Sequence, residues 1–267
     1  MRYILLFIIT ALNILSISAE SVDKTIDVTK YGAQPDDGKD DTKALRKAVQ
    51  DACRTPGTTI YMPKGVYILK DADAVNLERR VLNGDMGENP EKIIYTPYYN
   101  YSKGLDFSGA KNVTVEAGQV ILMCEGWMEP LSLNFCEGVT IKGITIDYKR
   151  KPFVSGDVVN VTSTYFDVQF GPEKIVTDKM PLTRLTFWDK AVNRLFPEPI
   201  YFPKRELLGN NMVRFHHSVP VSLKGSNVTV LNSLHFRPAI LIHKSTSTTL
   251  EDVTIHAQAG MGVVGFD

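Results

Sequence analysis

The stretch GVTIKGITIDY, Gly138 to Tyr148, puts Val139, Ile141, Ile144 and Ile146 at alternating positions. Period-two alternation is the pattern of a strand with one buried face. The phase shifts at Gly143, where the chain is expected to bend. Similar wording occurs in NVTVE from Asn112, NVTVLNSLHF from Asn227 and STTLEDVTIHA from Ser247. There the alternating residues are Val113 and Val115; Val228, Val230, Leu234 and Phe236; and Leu250, Val253 and Ile255. The fourth phrase shifts phase at Asp252, and the third needs one extra residue to match the others. Gly138 lies 26 residues after Asn112, and Ser247 lies 20 after Asn227. Strand repeats of that length mark a solenoid, in which no coil can bury its apolar face alone. The expected fold is all-β, a right-handed parallel β-helix. A β-sandwich also has short strands, but no reason to repeat one phrase.

On the N-terminal side, DTKALRKAVQDAC (Asp41–Cys53) carries Ala44, Leu45, Ala48, Val49 and Ala52 on one helical face. Asp41 is the expected N-cap and Pro56-Gly57 the stop. No comparable helical period is expected elsewhere. The helix would cap the open end of the solenoid. Residues 1–20 read as a signal peptide: Arg2, an apolar run interrupted by Asn13 and Ser16, then Ser18 and Ala19. The run is too short for a spanning helix, so no membrane span is expected after cleavage. The chain is expected to be exported: periplasmic, at the outer surface, or secreted.

Residues 152–222 carry no repeat. DVVNVTSTYFDVQF (Asp157–Phe170) reads as a strand pair, with further strands in RLTFWD (Arg184–Asp189) and MVRFHHSV (Met212–Val219). A β-rich insertion between coils is expected there. Residues 21–151 then hold the cap and first coils, and 223–267 further, incomplete coils. Lys+Arg and Asp+Glu are 30 each, so formal net charge is zero, which argues against nucleic acid as a partner. Three cysteines in 267 residues exclude a small disulfide scaffold. Cys124 and Cys136 could bridge, or remain buried thiols. No Cys/His spacing suggests a metal.

YGAQPDDGKDDTKALRKAV (Tyr31–Val49) followed by TIYMPKGVYIL (Thr59–Leu69) resembles the opening of the pectate-lyase-like and polygalacturonase-like β-helix superfamily. More narrowly, GVTIKGITIDYKRKPFVSGDVV (Gly138–Val159), the β-rich insertion and TLEDVTIHAQAGMGVVGF (Thr249–Phe266) resemble glycoside hydrolase family 110. Those are exo-acting α-1,3-galactosidases with β-barrel insertions on a β-helix. The resemblance implies removal of terminal α-1,3-linked galactose from glycans with inversion, and no metal or other cofactor. In that family the catalytic aspartates follow the Gly-Met-Gly phrase on two later coils. Here Gly260-Met261-Gly262 is followed by five residues, so the chain is expected to stop short of the catalytic coils.

Inverting hydrolysis needs two carboxyl groups roughly 6.5–9.5 Å apart. Asp36-Asp37 and Asp40-Asp41 suit turn and cap roles instead. Asp267 is the weak catalytic candidate, and Asp147 could touch sugar or sit in a solvated turn. His243, His256 and Trp127 are weak substrate-binding candidates. His235, His243 and His256 could stack as a ladder on neighbouring coils, while Trp127 and Trp188 offer ring faces or burial. Lys149-Arg150-Lys151 reads as a solvated turn. The competing readings are a polygalacturonase-like or pectate-lyase-like enzyme, and a glycan-binding β-helix without turnover.

Overall fold

The computed structural model describes residues 24–96, 98–173 and 175–267. The segment expected to be a signal peptide lies outside them. The chain is mostly β, with three α-helices among the described residues.

The strands β1 (Thr25–Asp27), β2 (Thr59–Met62) and β3 (Gly65–Lys70) open the structure, followed by β4 (Lys103–Asp106), β5 (Thr114–Glu125), β6 (Glu129–Asn134) and β7 (Thr140–Tyr148). β1, β2, β5 and β7 pair parallel, in that order. β3 pairs β5 beyond its bend. β4 and β6 start a second parallel sheet. Parallel pairing puts like residues at like depth: Thr25, Thr59, Thr114 and Thr140 form one row, and Ile26, Ile60, Val115 and Ile141 the next. β-branched residues pack well on such pleated neighbours. Val115 and Ile141 share one core cluster with Leu105 and Leu131, so the two parallel sheets enclose a common apolar interior.

The bend expected at Gly143 is present. Its φ is +74°, and the β5–β7 register slips between Glu116 and Val120. A Cβ on Gly143 would overlap the carbonyl oxygen of Ala117.

A separate antiparallel sheet comprises β8 (Phe153–Val161), β9 (Phe166–Phe170), β10 (Arg184–Asp189), β11 (Arg194–Leu195), β12 (Ile200–Tyr201), β13 (Arg205–Gly209), β14 (Met212–Phe215) and β15 (Asn227–Leu231). All of their pairings are antiparallel, around a separate core of Phe166, Phe187, Phe215 and neighbours. The strand pair read at residues 157–170 is β8 with β9.

One of the four repeated phrases is therefore not a coil. NVTVL at Asn227 pairs antiparallel with β8 and β10. Asn227–Leu231 thus pairs within the antiparallel strands and not with the parallel sheets. Alternation alone marks a half-buried strand and says nothing of its partner's direction. The chain then returns to the parallel sheets with β16 (Ile240–His243), β17 (Thr249–Glu251), β18 (Thr254–Ile255) and β19 (Val263–Phe266). β17 and β18 stack directly on β7, and β16 lies between β6 and β19. Asp252, with φ +51°, makes the bend between β17 and β18.

α1 (Thr42–Arg54) buries Leu45, Ala48, Val49 and Ala52 as its apolar face requires. The capping role expected of Asp41 is corrected: its side chain makes no bond to the helix. Asp41 instead accepts from the amides of Gln34 and Ile68, both at 2.9 Å, tying the entry loop to β3. Asp40 binds the first turn, accepting from the Thr42 amide at 3.0 Å. A second helix, α2 (Ala72–Leu82), contradicts the expectation of only one. Asp71 caps it through the amides of Asp73 and Ala74, and Ala74, Leu77 and Val81 are buried. α3 (Glu91–Ile94) is a single short turn.

Gly143→Ala should lower unfolding free energy by about 2–4 kcal/mol, since strain and a backbone collision add. Gly38→Ala, at φ +72° with open space around it, should lose only about 1 kcal/mol. Urea unfolding of both variants checks the difference.

Candidate functional site

The residues singled out in the sequence fall in three places. Trp127 follows the end of β5 and is fully buried, with Phe236 tilted against it at 5.9 Å between centroids. It leaves no ring face for a ligand. Trp188 on β10 is half-exposed.

His256 follows β18, its Nδ1 3.5 Å from Asp147 Oδ2 on β7. Asp147 also pairs with Lys151 and accepts from the Tyr148 amide at 2.7 Å. Burial pushes its carboxyl up, but the Lys151 and backbone hydrogen bonds outweigh that and hold it below the usual range. Lys149-Arg150-Lys151 leaves β7 in a partly exposed bend, as expected, and the first and last of these pair with carboxylates. Lys149 Nζ lies 2.6 Å from Glu125, which Lys70 also approaches at 3.2 Å. Arg150 is half-buried near Glu78 of α2. Burial pushes the Glu78 carboxyl up to about 6, with Arg150 pulling it back and Glu125 adding to the rise. Glu78 is the signal sequence reading missed, because its helix was not recognised.

His243 ends β16 and lies within a row of rings. Its centroid is 5.3 Å from Phe135 and 4.5 Å from Phe266. Asp267 follows Phe266 and is exposed. Structure thus brings His243 and Asp267 to neighbouring strand ends, and sets His256 apart beside Asp147. The expected histidine ladder does not form. His235 instead contacts Glu91 at 2.8 Å and Tyr95 at 5.4 Å between centroids. The row is phenylalanine, histidine, phenylalanine.

A buried polar knot joins β6, β7 and the chain before β16. Glu129 of β6 is fully buried, bonded to Ser132 and to Arg237 Nε at 2.8 Å. Arg237 stacks over Tyr101 at 4.1 Å. The buried Tyr148 hydroxyl donates to Gln258 Oε1 at 2.6 Å, and Gln258 Nε2 donates to the Arg237 carbonyl at 2.5 Å. These bonds fix the chain entering β16 against the second parallel sheet. Cys53, Cys124 and Cys136 are free thiols, with Cys124 fully buried.

A family model described as "Rhamnogalacturonase A/epimerase, pectate lyase-like" matches residues 25–172. The chain belongs to this family. It is also similar to three curated relatives. The α-1,3-galactosidase B of Akkermansia muciniphila is 22% identical over 258 residues, covering 90% of this chain and 31% of that protein. The α-1,3-galactosidase A of Shewanella woodyi is 21% identical over 266 residues, covering 91% and 42%. The α-1,3-galactosidase B of Bacteroides thetaiotaomicron is 24% identical over 282 residues, covering 94% and 43%. The chain therefore spans less than half the length of these relatives. Their names bear out the resemblance read in the sequence.

Glu78 gives a pH prediction. A carboxyl whose folded value is raised favours the folded state when protonated, and that contribution is lost as pH rises through the folded value. Between pH 4.5 and about 6, the stability of Glu78→Gln should therefore climb relative to the unchanged protein, then stay level above that window. Thermal unfolding of both proteins from pH 4 to 8 checks it. A gap that is flat across pH would contradict the raised carboxyl.

Proposed function

We propose that the protein is an exported glycoside hydrolase that removes terminal α-1,3-linked galactose from glycans with inversion at the anomeric carbon. The two parallel sheets are, in this reading, faces of a right-handed parallel β-helix, and the antiparallel strands a module inserted between its coils. The observation that carries it is the similarity to α-1,3-galactosidases across 90–94% of the chain, through both the parallel strands and the antiparallel module. A random match to repeated Asn-Val-Thr wording would not extend through strands that lack it.

The chemistry asks for a carboxylic acid toward the leaving oxygen and a carboxylate toward a water on the other face. Asp267 stands beside the ring row at a strand end, and the Asp147 carboxyl, raised by burial, is brought below the usual range by the Lys151 and Tyr148 hydrogen bonds. His243 and His256 are the proposed polar contacts to sugar hydroxyls.

The test is incubation of the natural full-length protein with α-1,3-linked galactobiose, followed by proton NMR. The expected result is galactose appearing first as the β-anomer. α-Galactose appearing first would remove inversion. A folded protein that releases no galactose would overturn the reading, and release of unsaturated products from polygalacturonate would favour the lyase alternative.

A further inference from the structure

Three successive steps of the second parallel sheet end in the same turn. The amide of Gly109 donates to the Asn134 carbonyl at 2.8 Å, that of Phe135 to the His243 carbonyl at 2.8 Å, and that of Lys244 to the Phe266 carbonyl at 3.0 Å. All three residues have left-handed backbones, with φ of +77°, +55° and +47°. Glycine adopts that conformation without steric cost, whereas a residue with a Cβ is strained there. The backbone thus asks for glycine at each step, and the first step has it. At the next two steps the chain carries a phenylalanine and a lysine instead.

Their side chains do not repair that cost by burial. Phe135 is 60% exposed and Lys244 is exposed as well, while a buried phenylalanine would gain from leaving water. The rings are nonetheless ordered into a row: Phe135, His243, Phe266. Lys244 Nζ lies 5.8 Å from the Phe135 centroid. Asn134, one residue before Phe135, donates its amide to Ser108 Oγ at 3.2 Å. The result is an exposed Phe135 ring with an imidazole, an ammonium group and an amide around it.

We propose that Phe135, with His243 and Lys244 at its edges, forms a stacking platform for a pyranose ring of a neutral oligosaccharide. This deepens the carbohydrate reading above and rests on it. A pyranose offers one face of C–H groups to an aromatic ring, and its hydroxyls at the edge meet donors and acceptors around that ring. Phe135, the exposed ring tilted 60° from His243, meets the first demand, and His243 and Lys244 beside it meet the second. A nucleobase could also stack, but a chain of zero formal charge lacks the basic surplus that holds a phosphate backbone. The strained backbone at Phe135 is the kind of local cost that collects where a side chain serves a ligand.

The same geometry supplies a variant that separates binding from folding. Phe135→Gly restores the residue that the turn favours and that Gly109 already uses. It should keep or raise the melting temperature while weakening oligosaccharide binding by about tenfold, the effect of one lost ring stack. Lys244→Gly should likewise not destabilise, and should weaken binding by a few-fold. Both are compared with the unchanged protein on an array of neutral galacto-, gluco- and manno-oligosaccharides, with affinities then measured by calorimetry.

Binding of α-1,3-galactobiose that Phe135→Gly loses supports the platform. Binding of a different neutral oligosaccharide, again lost in Phe135→Gly, supports the platform while counting against the galactose reading. Equal binding by both proteins overturns the platform even if galactose is still released. Absence of binding by the unchanged protein also overturns it. A drop in oligomer size of Phe135→Gly on gel filtration, without loss of sugar binding, would assign the exposed ring to self-association instead.

Discussion

The structure depends on like residues lying at like depth across parallel strands. Thr25, Thr59, Thr114, Thr140 and Thr249 stand in one row, and Ile26, Ile60, Val115, Ile141 and Leu250 in the row beside it. No single strand of this set is long enough to bury its own apolar face. Each lends half of an interior, and the second sheet, through Leu105, Leu131 and Ile240, closes it. A one-residue slip would turn the aliphatic row outward and the threonines in. Gly143 and Asp252 make matching left-handed bends, so β7 stays in register with β17 and β18 on both sides, while β5 takes up a register shift between Glu116 and Val120.

That regularity explains both what could be read in the sequence and what could not. The bends at Gly143 and Asp252 and the strands of the antiparallel sheet were legible because alternation and its interruptions are local. The earlier members of the rows, in Thr25–Asp27 and Thr59–Met62, are too short to stand out as a repeat. NVTVL at Asn227 was misplaced because it has the right alternation in an antiparallel neighbourhood, and partner direction is a long-range property. α2 was overlooked although Asp71, Ala74, Leu77 and Val81 carry its cap and period, since Asn, Glu and two Arg residues between them hide a narrow apolar stripe. Asp41 was recognised as structural, but its bonds run to Gln34 and Ile68, which sequence distance conceals.

For the site, residue type was a partial guide. His243 lies where rings gather on strand ends, and its phenylalanine neighbours, far apart in the chain, were invisible to any local pattern. Trp127 illustrates the reverse: a large aromatic residue looks like a sugar platform, yet the apolar cluster of Leu77, Val81 and Phe236 buries it. Electrostatics divides the remaining groups. Carboxylates at the ends of β5 and β7 are neutralised by the lysines that follow β7, whereas Glu129 is sealed inside and satisfied by Arg237 and Ser132. A buried ion pair of this kind costs desolvation and mainly fixes geometry, here the path of the chain from the antiparallel module back into the parallel sheets.

The central claim is that the phrase at Ser247 sits directly on the phrase at Gly138, with the phrase at Asn227 diverted into the antiparallel module. Lys142 and Glu251 are paired across β7 and β17, their charged ends 2.7 Å apart. The direct measurement is cysteine cross-linking of two double variants, with bridged peptides mapped by mass spectrometry. Lys142→Cys with Glu251→Cys should form a disulfide under mild oxidation, and Lys142→Cys with Thr229→Cys should not. The reverse outcome would contradict the account.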